Sequence, residues 1–312
     1  MRKLIICLLV VVVMVSGCAN KEKKKEKKDL FSVEENQEVN VSYNWEIKNY
    51  KDKKIDYKNE AIKLNIAVEN DGDEIHLGPI IFIDGIAQRY SLNNKKEYCI
   101  GSSFKKGKKV ISVEFEPQFG DSNKKHEMYV GMIYEPDYRT KKGTFGHKLN
   151  MAVLEMYKVV SKSNVDYSFK HKTVESKIPD NIKREYKSIN HYGIEINKLE
   201  NTMVLNASQD NKIINERNII DTSKNVQFNM FGGESKKYRV CALKNNKPIK
   251  IFGSQSYIDV EVKNGMMTSF EGDFSKEKIL EGDVFYLVYC PIVESGYNPD
   301  EMFDKSDSFS LK

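Results

Sequence analysis

The chain has 312 residues, 50 Lys+Arg against 45 Asp+Glu, and 40% apolar side chains. That length suggests about two domains, and an apolar fraction slightly below average still builds packed cores. Wholesale disorder is therefore excluded, and so is a polytopic membrane protein, because residues 4–15 are the one long apolar run. The charge is uneven. Residues 1–28 carry eight basic side chains and two acids, a net +6, which leaves −1 for residues 29–312 against a whole-chain +5. A nucleic-acid binder needs a basic footprint on its folded part, and six Arg among 50 basic residues argue further against phosphate recognition. No nucleic-acid partner is expected.

The chain begins with Arg2 and Lys3, then twelve apolar residues (4–15), then the small residues Ser16 and Gly17. This is the plan of a secretory signal peptide, too short for a transmembrane helix of about 20 residues. Its end, Val15-Ser16-Gly17-Cys18, resembles the lipobox of bacterial lipoproteins at all four positions: aliphatic, small, small, cysteine. The resemblance implies cleavage between Gly17 and Cys18, a diacylglyceryl group on the Cys18 thiol, and a lipid anchor on the extracytoplasmic face of the cell membrane. It covers the leader alone. Residues 20–28, with six Lys and no apolar residue, read as a solvated tether.

Beyond the tether the chain reads as strands. Val39, Val41, Tyr43, Trp45 and Ile47 alternate with mostly polar residues, the period of a half-buried strand. Ile62, Leu64, Ile66 and Val68 repeat the pattern. Asp84-Gly85, between apolar runs, predicts a tight hairpin. Ile111, Val113 and Phe115, then Met128, Val130, Met132 and Tyr134, then Met151 and Val153 complete about seven strands. In residues 163–190 apolar residues thin out, and Ile182, Tyr186 and Ile189 have helical spacing after Pro179. Val226, Phe228 and Met230 resume the alternation. Asn245-Asn246 and Gly265 mark turns, and residues 284–289 form a continuous apolar run like a central strand.

The resulting expectation is an all-β chain of two tandem immunoglobulin-like β-sandwich domains behind a cleaved signal peptide and a flexible tether. The boundaries are 1–17 signal peptide, 18–38 lipidated Cys and tether, 39–162 first sandwich, 163–190 linker, and 191–312 second sandwich. The two halves share an order of features. A hairpin is followed by Val-Glu-Phe (113–115) or Val-Glu-Val (260–262), then by Tyr134-Glu135-Pro136 or Tyr289-Cys290-Pro291. The intervals differ, so the repeat is inexact.

No G-x-S-x-G, P-loop, H-E-x-x-H or G-x-G-x-x-G occurs. The five His (76, 126, 147, 171, 191) lie far apart in sequence and read as surface or loop residues. With Cys7 in the leader and Cys18 lipidated, Cys99, Cys241 and Cys290 remain. They form no disulfide framework or metal motif and read as buried thiols, although Cys241 and Cys290 could pair if their strands adjoin. A triad of Cys99, a His and an acid stays open, since such groups meet in space. The acidic stretches 69–74, 121–123, 271–273 and 281–283 suit Ca²⁺ by composition, but Asn, Asp and Gly are also what turns are made of. Glu114 and Glu116 share a solvated strand face, and Trp45 reads as packing. Asn40 and Asn206 head glycosylation sequons that a bacterial lipoprotein does not use. No catalytic residue, metal or cofactor is predicted. The expectation is a non-catalytic lipoprotein with a protein or glycan partner in the envelope. Its alternatives are a transporter's solute-binding lipoprotein, which would need many helices, and an anchored cell-wall hydrolase, which would need a cleft where distant acids, His or Cys99 converge.

Overall fold

The computed structural model describes residues 40–120, 125–140, 151–161, 172–180, 182–183, 203–214, 219–232, 236–292 and 303–312. The leader, tether and Cys18 lie outside this set, as do His147, His171, His191, Tyr186, Ile189 and the acidic stretch 121–123. Residues Asn36–Lys312 form one compact unit.

The first half contributes β1 (Tyr43–Ile47), β2 (Lys54–Asp56), β3 (Ile62–Asn70), β4 (Ile75–Ile83), β5 (Ile86–Ala87) and β6 (Tyr90–Leu92). It continues with β7 (Lys95–Glu97), β8 (Ser102–Phe104), β9 (Gly107–Phe115), β10 (Lys125–Tyr134) and β11 (Met151–Val160). The second half contributes β12 (Val174–Lys177), β13 (Met203–Gln209), β14 (Lys212–Ile214), β15 (Ile219–Ile220), β16 (Val226–Gly232) and β17 (Lys236–Lys244). After these come β18 (Lys247–Pro248), β19 (Tyr257–Val262), β20 (Met266–Gly272), β21 (Val284–Pro291), β22 (Asp304–Lys305) and β23 (Phe309–Leu311).

These strands make four sheets. The first runs β1-β3-β9-β6-β7, and the second β2-β11-β10-β4-β5 with β8 also on β4. The third runs β15-β23-β21-β17-β18, with β19 on β17 and β22 on β21; the fourth runs β12-β20-β16-β13-β14. The expected all-β chain of tandem immunoglobulin-like sandwiches is the architecture observed.

Period-2 alternation decides how the sheets stack. Leu64, Ile66, Ile111 and Val113 of the first sheet meet Ile81, Ile83, Met128 and Val130 of the second in one core. Phe228, Met230 and Phe270 of the fourth meet Val240, Ala242, Phe285 and Leu287 of the third in another. The intervening residues of the same strands form a third core. Ile80 and Phe82 of β4, with Tyr129 and Ile133 of β10, pack against Cys241 and Leu243 of β17 and Tyr286, Val288 and Cys290 of β21. The two middle sheets are thus buried on both faces, and the molecule is a stack of four β-layers. This explains the uninterrupted apolar run at 284–289, where every residue of β21 is buried.

The halves follow one plan. β1-β3-β9 corresponds to β13-β16-β20, and β5-β4-β10-β11-β2 corresponds to β18-β17-β21-β23-β15. Even the parallel edge pairs match, β2 on β11 and β15 on β23. The Val-Glu-Val at 260–262 lies in β19, on the third sheet, whereas Val-Glu-Phe at 113–115 lies in β9, on the first. They are not equivalent; β20 is the counterpart of β9. The last residues of β9 and β10 are Phe115 and Tyr134, those of β20 and β21 are Gly272 and Pro291, and the separations are then equal.

Within the stretch read as a linker, Val174–Lys177 is an edge strand paired antiparallel with β20. After it Lys183 N donates to Pro179 O (3.0 Å), a bond of helical spacing. Ile178 and Ile182 of this stretch are buried against Phe231 and Met267 of the fourth sheet.

Candidate functional site

The Asp84-Gly85 hairpin tip is where the chain concentrates polar contacts. Both residues have positive φ (49° and 78°), the two left-handed positions of a type I′ turn. The turn folds the Asp84 carboxylate back into the protein. Its Oδ1 accepts from Glu127 N (3.0 Å) and its Oδ2 from Gly120 N (2.9 Å). His126 Nδ1 lies 2.7 Å from Oδ2, and His126 Nε2 lies 2.8 Å from Ser161 Oγ. A carboxylate only accepts, so Nδ1 carries the proton, and in the neutral ring Nε2 accepts from the Ser161 hydroxyl. The Phe119 ring stacks on the imidazole at 4.1 Å.

Arg239, on β17 of the other sandwich, reaches the same tip. Its Nη1 donates to Gly120 O (2.7 Å) and Asp84 O (3.2 Å), while Nε and Nη2 grip both Asp259 oxygens (2.7 and 2.9 Å). The Tyr257 ring lies 5.1 Å from the guanidinium carbon. Burial pulls the Arg239 pKa down, but the Asp259 bond and the charges of Asp259, Tyr257 and Asp84 outweigh it and leave it raised. Gly85 is required here, because a Cβ would lie 3.0 Å from Arg239 Cβ and 3.2 Å from Cys290 Cβ. Asp84, Lys125, Glu127, Arg239, Cys290, Pro291 and Ile292 line a small recess beside the tip.

The second hairpin tip repeats the device with different chemistry. Asn245 N donates to Val284 O (2.8 Å) and Asn245 Oδ1 accepts from Val284 N (2.9 Å), matching Asp84 and Glu127. Asn245 Nδ2 donates to Asp283 Oδ1 (2.6 Å), in the place of the Asp84–His126 contact. Asn246 crosses to the first sandwich, where its Nδ2 donates to Pro136 O (2.8 Å), and its Oδ1 accepts from Tyr286 OH (2.7 Å). Thr140 N also donates across, to Gly282 O (3.0 Å). Each tip is therefore pinned to the opposite sandwich.

Asp84, His126 and Ser161 are connected as an acid, base and hydroxyl nucleophile would be. The imidazole is wholly buried, Ser161 is 3% exposed, and the recess includes neither. In this arrangement the relay fixes the hairpin rather than presenting a nucleophile. Sequence reading placed His126 on the surface or in a loop. It lies in β10 at 1% exposure, because Asp84 and Ser161 satisfy both ring nitrogens.

Cys99, Cys241 and Cys290 are free. Cys241 lies opposite Val288 and Cys290 opposite Arg239, so the two thiols are diagonal on adjacent strands and unbridged. Burial pushes the Cys241 thiol up to about 12. Burial and the Asp137 charge raise Cys99, and burial with Asp84 and Glu127 raises Cys290. A thiolate nucleophile needs the opposite shift. His76 Nε2 is 3.1 Å from Asp137 Oδ2, so a His, an acid and Cys99 do share a neighbourhood, with the thiol held protonated. Among the described residues no three His, Cys, Asp or Glu side chains gather as a metal site.

Of the described acidic stretches, 69–74 and 281–283 form turns and 271–273 closes β20. Asn70 Nδ2 donates to Asp73 O and Phe104 O, and Asn70 Oδ1 accepts from Gly72 N. Asp273 Oδ1 accepts from Ser275 N (2.8 Å), and these bonds lower its pKa. Glu114 and Glu116 are exposed, and Trp45 is core at 7% exposure.

One feature escaped sequence reading altogether. On the face of the fourth sheet turned away from its core, Asn206, Asn229 and Ser269 stand opposite one another across three strands. Ser208, Gln227 and Glu271 form the next row. Asn229 Oδ1 accepts from Ser269 Oγ (2.8 Å) and Gln227 Nε2 (3.2 Å), so its Nδ2 donates to Asn206 Oδ1 (3.0 Å) and Ser208 Oγ (3.3 Å). Asn206 Nδ2 is left buried without a hydrogen-bond partner.

No protein-family model and no curated protein matches the sequence. Solved structures overlap it weakly. The Escherichia coli chaperone DraB shares 6% identity over 87% of this chain and 96% of its own, with a TM-score of 0.24. The chaperone–tip adhesin pre-assembly complex CsuC–CsuE of Acinetobacter baumannii shares 10% over 83% and 95%, at 0.18. WR4, an MSP family member of Caenorhabditis elegans, shares 8% over 39% and 96%, at 0.22. Overlaps this low decide neither fold nor function, and the architecture rests on the strand order above.

Proposed function

We propose that this chain is a non-catalytic lipoprotein, anchored through a diacylglyceryl group on Cys18 at the extracytoplasmic face of the membrane, whose β-body binds a protein or glycan of the cell envelope. The anchor rests on Val15-Ser16-Gly17-Cys18 and the apolar run before it. One acyl chain binds marginally and two hold firmly, so a diacyl group suffices. The observation that carries the binding role is how the chain spends its reactive side chains. Asp84, His126 and Ser161 are turned inward and bonded to one another or to backbone, Arg239 ties that tip to the second sandwich, and burial keeps the Cys99, Cys241 and Cys290 thiols protonated. Metabolic labelling with a fatty acid, followed by fractionation, tests the anchor. Wild type is expected in the membrane with label, and Cys18→Ala without label and released; a labelled Cys18→Ala chain overturns this assignment.

A second reading, an anchored hydrolase, is favoured by one observation: the Asp84–His126–Ser161 relay. A fluorophosphonate probe separates the two. The binding reading expects no labelling of the native chain, whereas labelling abolished by Ser161→Ala would replace it with the hydrolase.

A further inference from the structure

We infer that the open edge of β9, with Val110 and Ala67 beside it, takes up an extended acidic strand of a partner protein, a reading that deepens the proposed binding role and rests on it. The halves share one plan, so the second shows what belongs at this position. Counted back from the last residues of their strands, Val110 of β9 matches Met267 of β20, and their cross-strand partners Ala67 and Phe231 match in turn. Two residues along, Ser112 Oγ donates to Asn65 Oδ1 (2.5 Å) as Ser269 Oγ does to Asn229 Oδ1 (2.8 Å), the same bond at the same register. In the second half β12 pairs with β20 from Met266 to Ser269, and Ile178 and Ile182, which follow it, cover Phe231 and Met267. In the first half the described residues place no strand along β9 from Lys109 to Ser112, and β6 meets β9 at Glu114. Met267 is accordingly 5% exposed and Val110 58%.

The backbone of this edge points outward. Residues of an antiparallel strand turn their N–H and C=O alternately to the two sides. Asn65 O accepts from Lys48 N on the β1 side, so Leu64, Ile66 and Val68 bond toward β9. Their partners there are Val113, Ile111 and Lys109. Lys108, Val110 and Ser112 therefore aim their backbone groups away from β3, and all three are exposed. Such a row is a template for one more strand. Charge decides which strand. In the second half Glu175 of β12 pairs with Lys263 (2.7 Å), three residues before Met266. Lys106 stands three residues before Lys109, with Lys105 beside it, and both are exposed. Lys108 is already bridged to Glu69 (3.1 Å). A strand with carboxylates beside Lys105 and Lys106 and apolar side chains over Val110 supplies what β12 and the two isoleucines supply in the other half. A second copy of this chain is the poorer occupant, because its own open edge carries the same lysine turn.

The test is fluorescence anisotropy of the full chain in detergent with a labelled peptide of the sequence of residues 173–182, blocked at both ends, and with the same peptide carrying Lys177→Glu. Both are expected to bind saturably, the more acidic one more tightly and with the steeper salt dependence. Val110→Glu, and Lys105→Glu with Lys106→Glu, are each expected to weaken binding about tenfold. These side chains are exposed, so their replacement leaves the fold intact. Bound peptide is expected to slow amide hydrogen exchange at residues 108–112. No binding at millimolar peptide, binding indifferent to both variants, or slowed exchange elsewhere but not at 108–112 overturns the inference. So does a dimer of the unliganded chain that Val110→Glu dissociates, which gives the edge to a second copy. None of these touches the broader binding reading, which falls only with fluorophosphonate labelling of Ser161.

Discussion

Arg239 shows how much one side chain can hold. It is 3% exposed, carries a full charge, and joins Asp259 on its own sheet to two carbonyls of the other sandwich. Removing one member of such a group strands the rest in a dry interior. Arg239→Ala is expected to cost about 3–5 kcal/mol, read from urea unfolding. Arg239→Lys keeps the charge but not the two-pronged geometry, and is expected to cost about 1–3 kcal/mol. The thiols give a pH prediction. The Cys241 pKa is raised in the fold from 9.0 to about 12, so the folded state favours the protonated form. That preference is intact below pH 9 and is lost as pH rises toward 12, at about 1.4 kcal/mol per pH unit for each thiol so placed. Stability is expected to fall above pH 9, and Cys241→Val to flatten the fall, in melts from pH 7 to 10.5.

At the scale of the element, turns of identical backbone do different work. Asn93-Asn94 and Asn245-Asn246 both close type I′ hairpins, with φ of 50° and 63° in one and 51° and 64° in the other. Asn94 is exposed, so Asn94→Gly is expected to change stability by less than about 0.5 kcal/mol. Asn246 is 1% exposed and holds Pro136 O and the Tyr286 hydroxyl. Asn246→Gly orphans both and is expected to cost about 2–4 kcal/mol, although glycine suits the φ. Thermal melts of the two variants side by side check the contrast. The same distinction bounds what sequence can tell. Asp84-Gly85 and Asn245-Asn246 were legible as turns, because φ > 0 selects Gly and Asn locally. What each tip grips was not. Asp84 meets a His 42 residues on, and that His meets a Ser 35 residues beyond it. No local pattern encodes such meetings. The row Asn206, Asn229 and Ser269 was hidden for the same reason, since it runs across strands and not along one.

For the whole molecule, the alternation in β3, β9 and β16 was enough to foresee sandwiches. The four-layer stack was not foreseen. A run such as residues 284–289 signals burial on both faces but does not name the second partner. The central core predicts that the sandwiches unfold together. Trp45, buried in the first core, and Cys241, buried in the middle one, are independent probes of the two halves. Their denaturation curves, by fluorescence and by thiol labelling, are expected to coincide. Tyr286→Ala, which empties the middle core, is expected to separate them.

The correspondence of the two halves has a last consequence. Equivalent strands, β4 with β10 and β17 with β21, face each other across the middle core, each half lending its hairpin to the other, as the subunits of a symmetric pair would. Two separate chains would come apart on dilution, and any substitution would appear at both ends of their interface. In a single chain the association is intramolecular and independent of concentration. The ends are also free to differ, and they do: an arginine of the opposite sandwich grips one tip, whereas the other tip reaches across with its own asparagine amide. The joined chain thus has the rigidity of a dimer without its symmetry, and so one end that a partner can tell from the other.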